Sequence, residues 1–158
     1  MQTMATESTF ETSPSAIKIG PCGGSGGSPQ DITSEPRRLQ SITILSGDVI
    51  DSIGFSYLDS AGHSRSAGPW GGSGGHPHII QLAANEFVLE ISGTVNIYRN
   101  STVISALKIV TDLTTYGPYG NWAGAPFTLQ VQPGSAIVGM FARSAELLDA
   151  IGVYVRHI

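Results

Sequence analysis

Residues 20–29 read GPCGGSGGSP, residues 68–77 read GPWGGSGGHP and residues 117–126 read GPYGNWAGAP. All three fit the pattern G-P-x-G-x-x-x-G-x-P, with starts 48 and 49 residues apart. Five fixed positions returning three times at near-constant spacing mark an internal repeat. Behind each stretch come short runs rich in Val, Ile, Thr, Phe and Tyr, bounded by turn residues, which is the pattern of strands. Leu39–Leu45 (LQSITIL) and Val49–Leu58 follow the first stretch. Phe87–Ile91, Val95–Tyr98 and Val103–Val110 follow the second, and Phe127–Val131, Ala136–Phe141 and Ala150–Val155 the third. No window has an apolar period of three to four residues with caps; Ala145–Asp149 comes nearest and is too short for a helix. The chain is therefore expected to be all-β, built from a unit of about 48 residues used three times around a pseudo-threefold axis. One such unit cannot bury its own apolar face, so the three share a core. A β-trefoil and a three-sheet β-prism both suit this arithmetic. The long strands behind glycine-rich loops, and the absence of a Gln-x-Trp signature, favour the prism.

Composition agrees. The chain has 158 residues, of which 20 are glycine, and only 13% are charged against roughly 25% in an ordinary domain. The length suits one domain, and a mean hydropathy of +0.09 leaves enough apolar material for a core. With 8 basic and 12 acidic side chains the net charge is −4, which argues against nucleic acid and anionic membranes as partners. No apolar run is long enough to span a bilayer. Residues 1–16 are polar and Ser/Thr-rich, so they read as a disordered leader or linker, with the domain at 17–158. They carry neither the basic nor the apolar part of a secretion signal, and the expected location is cytoplasmic. Asn100-Ser101-Thr102 then reads as a plain loop or strand end rather than a glycosylation site.

A second element recurs: a Gly-x-x-x-Asp segment, Gly47–Asp51, and its variant Ala145–Asp149. In the middle repeat the same count of residues ends at Arg99, which accepts no hydrogen bond. A carboxylate accepts two hydroxyls of a sugar ring at once in charge-assisted bonds, and tight-turn amides supply matching donors. Glycine lets backbone approach without a Cβ in the way. The plain alternative is that the glycines only connect strands and the aspartates only cap turns. Other chemistries find less support. The glycine runs lack the Lys-Ser/Thr of a phosphate-binding loop. His76 and His78 have no third ligand in view for a metal. Asp48 and Asp51 lie three apart on one turn instead of facing each other across a cleft, which speaks against a glycosidase pair. Trp70, Tyr119 and Trp122 are candidates for stacking on sugar faces or for covering sheet ends.

The KIGPCGGSGG start, the LKIVTDLTTYGPYG segment and the FARSAELLDAIGVYV ending resemble the jacalin-related lectins, over 142 of 158 residues. The resemblance implies a β-prism I fold of three four-stranded Greek-key sheets. It also implies a non-catalytic, metal-independent lectin with no cofactor, whose partners are mannose/glucose-type glycans. Carried over by position, one sugar site would hold Glu146, Leu147 and Asp149 facing Gly27. A second would hold Asp48, Val49 and Asp51 facing Gly75, and Gly124 would face Arg99 in a dead third position. Two departures stand out: Ala145 replaces the usual glycine, a strained choice if that position needs positive φ, and Cys22 replaces a common tryptophan. The unbroken chain through residues 17–27 resembles the unprocessed, mannose-preferring branch. A homo-oligomer and an upstream dirigent domain are both compatible with the resemblance. The alternative reading is a protein-interaction or aggregating module using the same loops, which mannose would not inhibit.

Overall fold

The structure, a computed structural model, describes residues 15–158; the expected leader lies outside the described residues as far as residue 14. Twelve strands make up the described part: β1 Ile17–Gly23, β2 Ser28–Gln30, β3 Pro36–Ser46, β4 Ile50–Asp59, β5 Ser64–Gly71 and β6 His76–Gln81. They continue as β7 Val88–Tyr98, β8 Ser101–Thr111, β9 Thr115–Gly120, β10 Ala125–Gln130, β11 Ser135–Ser144 and β12 Leu148–His157. Hydrogen bonding orders them β5-β4-β3-β6, β9-β8-β7-β10 and β1-β12-β11-β2, all antiparallel. The last two groups touch through one pairing, Ile137 with Val88. Three four-stranded sheets of one design thus form the β-prism expected from the repeats.

In each sheet a long central hairpin carries the apolar residues, and two short strands flank it. Ile42, Ile44, Ile53, Ile91, Ile104, Leu107, Ile109, Met140, Leu148 and Ile151 are fully buried between the three sheets. Burying one such side chain stabilises the fold by roughly 1.5–3 kcal/mol. The flanking strands are mostly exposed and add single anchors to this core, among them Trp70, Ile80 and Leu129. The glycine-rich stretch joins the two flanking strands across the hairpin between them: β5 to β6 and β1 to β2 over the hairpin's tip, and β9 to β10 further back, against Val95 and Ser105. Two of the loops therefore lie against a hairpin turn, which is how this topology creates a site.

The repeat read along the chain and the sheet built in space are offset. The loop at residues 24–27 does not sit on the hairpin that follows it. It crosses the hairpin β11–β12 at the other end of the chain, because β1 pairs with β12 and β2 with β11. The opposite end of the prism is stapled by carboxylates. Asp59 accepts from the amides of Ala61 and His63, at 3.0 and 2.8 Å, and from Arg65 Nε at 2.8 Å. Glu86 accepts from the Ala83 amide, Thr111 Oγ1 and the Tyr116 hydroxyl at 3.0, 2.7 and 2.8 Å. Among the described residues no helix is long and apolar enough to cross a membrane.

Candidate functional site

The two Asp-ended turns have the same construction. Gly47 donates its amide to the Val49 carbonyl at 3.0 Å, and Ala145 does the same to Leu147 at 3.1 Å. Behind each turn, the loop amide of Gly72 or Gly24 donates to the carbonyl of Asp51 or Asp149, at 2.9 and 2.8 Å. The amides of Asp48, Val49, Glu146 and Leu147 stand outside the strands and donate to no backbone acceptor among the described residues. They are free donors at the mouth of each pocket.

The structure brings together both expected sets. Gly27 has φ +70° and Gly75 φ +78°, a region that L side chains rarely adopt. A Cβ on Gly27 would lie 2.8 Å from Asp149 Oδ1, and one on Gly75 would lie 2.7 Å from Asp51 Oδ1. Each carboxylate thus rests against loop backbone that only glycine fits. Asp149 is 6% exposed, and its Oδ1 is buried with no hydrogen-bond partner. Burial pushes its carboxyl above the usual range, while the Ala145 amide and the Arg143 charge oppose the rise. Asp51 is also raised, first by burial and then by the like charge of Asp48, with Arg99 opposing. Val49 is buried and anchors its turn, whereas Asp48 and Glu146 are exposed.

Arg143 was not visible as a site residue in the sequence. Its Nε and Nη2 donate to the carbonyls of Gly26 and Gly27, at 3.0 and 2.8 Å, and clamp the loop over Asp149. The matching position on β3 is Leu45, so the Asp51 pocket has no such clamp. The only hint in the sequence is a cation two residues before the turn.

Two expectations need correction. Position 47 does not have positive φ, and a Cβ there would meet only ordinary contacts at 3.8 and 3.9 Å; Ala145 has no positive φ either. Alanine at the head of the Asp149 turn is therefore unstrained. Arg99 is not the third counterpart of the aspartates. Gly71 pairs with Ser52, Gly23 with Ala150 and Gly120 with Ala106, so the residue before each partner is Asp51, Asp149 and Ser105. Ser105 bonds the Ala123 carbonyl and Thr94 instead. Gly124 packs against Val95 and Asn96, not Arg99. Nine residues separate Val95 from Ser105, where four separate Ser46 from Asp51. The extra length carries β7 and β8 onward to a two-residue turn at Arg99 and Asn100, φ 51° and 66°.

The aromatic candidates do not reach the pockets. Trp70 is 7% exposed and meets Phe55 edge-on, Tyr119 stacks on His78, and Trp122 lies under Lys108. The aromatic ring that does line the cleft is Tyr98. His76 and His78 lie in β6, and no three His, Cys, Asp or Glu side chains converge among the described residues.

With this geometry in hand, the comparisons with known proteins agree on one family. The Jacalin-like lectin domain matches residues 19–154. Horcolin from Hordeum vulgare subsp. vulgare is 41% identical over 140 residues, covering 88% of this chain and 96% of that protein. A mannose/glucose-specific lectin from Parkia pendula is 31% identical over 89% of this chain, which spans 32% of that longer protein. The structure of a mannose-binding jacalin-related lectin from Ananas comosus superposes with a TM-score of 0.86 at 34% identity, over 90% of this chain and 99% of that one. The chain belongs to the family of jacalin-like lectins.

Proposed function

We propose that this chain is a carbohydrate-binding lectin domain that takes mannose/glucose-type glycans in two pockets, without metal, cofactor or catalysis. One pocket is Glu146, Leu147 and Asp149 with Gly27; the other is Asp48, Val49 and Asp51 with Gly75. The single observation that carries the reading is the Asp149 carboxylate, packed by its Oδ1 against the Gly27 loop, beside turn amides that donate to no backbone acceptor. The other oxygen of that carboxylate, Oδ2, is the acceptor for a sugar hydroxyl, in a charge-assisted bond. Neighbouring hydroxyls then accept from the turn amides, so donors and acceptors match around one ring. The names of the Parkia and Ananas relatives support mannose as the sugar. The domain boundary at residue 17 and a cytoplasmic site of action belong to the same reading.

Titration with methyl α-mannoside and methyl α-galactoside tests it. Mannoside is expected to bind with Kd on the order of millimolar, because a shallow site buries little area. A clear preference for galactoside, or no binding of either, would overturn it.

A further inference from the structure

We infer that Arg143 is a positioning residue: it holds the loop over Asp149 in its binding shape and makes that pocket the tighter of the two. This rests on the sugar-binding reading and extends it to what sets the two pockets apart. Residues 23–27 and 71–75 are the same pentapeptide, GGSGG. Both cross their hairpins alike, with the amide of Gly24 on the Asp149 carbonyl and that of Gly72 on the Asp51 carbonyl. Both bring backbone to a carboxylate, since a Cβ on Gly26 or Gly74 would lie 3.1 or 2.8 Å from its Oδ2. Both also rest on a neighbouring hairpin, Gly24 on Thr102 and Gly72 on Glu146. Loops of one sequence have one intrinsic freedom, so a difference between them comes from what holds them.

Glycine has the most backbone freedom to lose, so a loop of this composition is costly to keep in one shape. The two loops differ in their support at one position. Arg143 pairs with Pro29, two residues beyond Gly27, and Leu45 pairs with Pro77, two residues beyond Gly75. From there Arg143 Nε and Nη2 reach the carbonyls of Gly26 and Gly27, at 3.0 and 2.8 Å, whereas leucine has no donor to offer. A rigid guanidinium fork suits two successive carbonyls, and bonds from a charged donor are about twice as strong as neutral ones.

The orientation imposed by the clamp matters to a ligand. A peptide unit is planar and trans, so the Gly27 amide points opposite to the Gly26 carbonyl. With that carbonyl on Arg143, the amide faces away from the guanidinium. It is exposed and donates to no backbone acceptor among the described residues. A donor thus stands ready on the loop beside Asp149 before any sugar arrives, and the ligand is spared the cost of ordering the loop. The Gly75 amide belongs to a loop without this fork, so binding at Asp51 includes that ordering. The Arg143 charge also opposes the burial that raises the Asp149 carboxyl, so the test separates position from charge.

Calorimetry with methyl α-mannoside on one-pocket variants makes that separation. Asp51→Ala leaves the Asp149 pocket and Asp149→Ala leaves the Asp51 pocket. The first variant is expected to bind the mannoside about fivefold or more tighter than the second, the scale of one net hydrogen bond. Arg143→Met keeps an apolar stem and removes the donors. Added to Asp51→Ala it is expected to erase the advantage; added to Asp149→Ala it is expected to change nothing, which also shows that the fold is intact. Arg143→Lys keeps the charge without the fork and is expected to recover at most part of the loss. Equal affinity in the two one-pocket variants, no loss or the same loss in both on Arg143→Met, or full recovery with Arg143→Lys would overturn the inference. If the mannoside fails to bind the parent chain, the sugar-binding reading falls instead, and this inference with it.

Discussion

Asp149 and Asp51 occupy equivalent points of two sheets, but their surroundings differ in ways a titration reads. Asp149 is the more enclosed, and its loop is clamped by Arg143; Asp51 has Asp48 and Arg99 as charged neighbours. Replacing either carboxylate by alanine removes the charged acceptor for a hydroxyl, at about 1.5–3 kcal/mol. Asp51→Ala and Asp149→Ala are each expected to lower the count of bound mannosides from two to one, and the double variant to remain folded and bind none. Calorimetric stoichiometry together with circular dichroism checks this. The raised carboxyls also set the pH response. In the proposed pockets the sugar needs the ionised carboxylate, so binding is expected to be complete above the raised value and lost as pH falls through it. The loss is expected to begin at a higher pH than for an ordinary aspartate, whose pKa is about 3.9. Mannoside titrations from about pH 7 to about pH 4 follow it. Fold stability has the opposite sign here, because protonation relieves the burial of these two groups.

Among the elements, the β4–β5 corner reverses that sign. Arg65 and the two amides hold the Asp59 carboxyl down at about 2. A depressed carboxyl contributes stability above its unfolded value, about 3.9, and loses it as pH falls through the folded one. Asp59→Asn is expected to be less stable than the parent at pH 7, with urea midpoints that converge toward pH 2. Mannoside affinity should be unchanged, since this corner lies at the far end of the prism from the pockets. How much of this was legible in the chain varies by element. The strands and the threefold plan were, because apolar β-branched runs and glycine-proline loops are local signals. The pairing of Gly27 with Asp149 comes only through family resemblance, since they lie 122 positions apart in the chain. The middle hairpin was misjudged for a physical reason. Its turn uses Arg99 and Asn100 in place of the usual Asn-Gly, so nothing local marked where β7 ends, and counting residues placed Arg99 opposite a glycine loop it never meets. Tyr98 and Arg143 act across sheet and loop boundaries that no periodicity records.

For the whole molecule, the prism gathers three loops and three hairpin tips at one end and leaves the other end to structural carboxylates. Among the described residues no three His, Cys, Asp or Glu side chains converge, whereas a calcium site needs six to eight oxygens around one point. Mannoside binding is expected to be the same in excess EDTA as in added calcium, measured by calorimetry. Loss on chelation with recovery on calcium would overturn direct contact between carboxylate and hydroxyl.

The closure of β1 and β2 onto β11 and β12 has a consequence in time. During synthesis, everything that forms the Asp51 pocket, from β3 through β6, emerges as one stretch of chain ending at Gln81. Gly27 leaves the ribosome well before Asp149, which lies 122 positions further along the chain, and must wait for it. Until then β1 and β2 have no strand to pair with. The two pockets of one molecule are therefore of different ages, and the younger one is complete only when the β11–β12 hairpin docks onto β1 and β2.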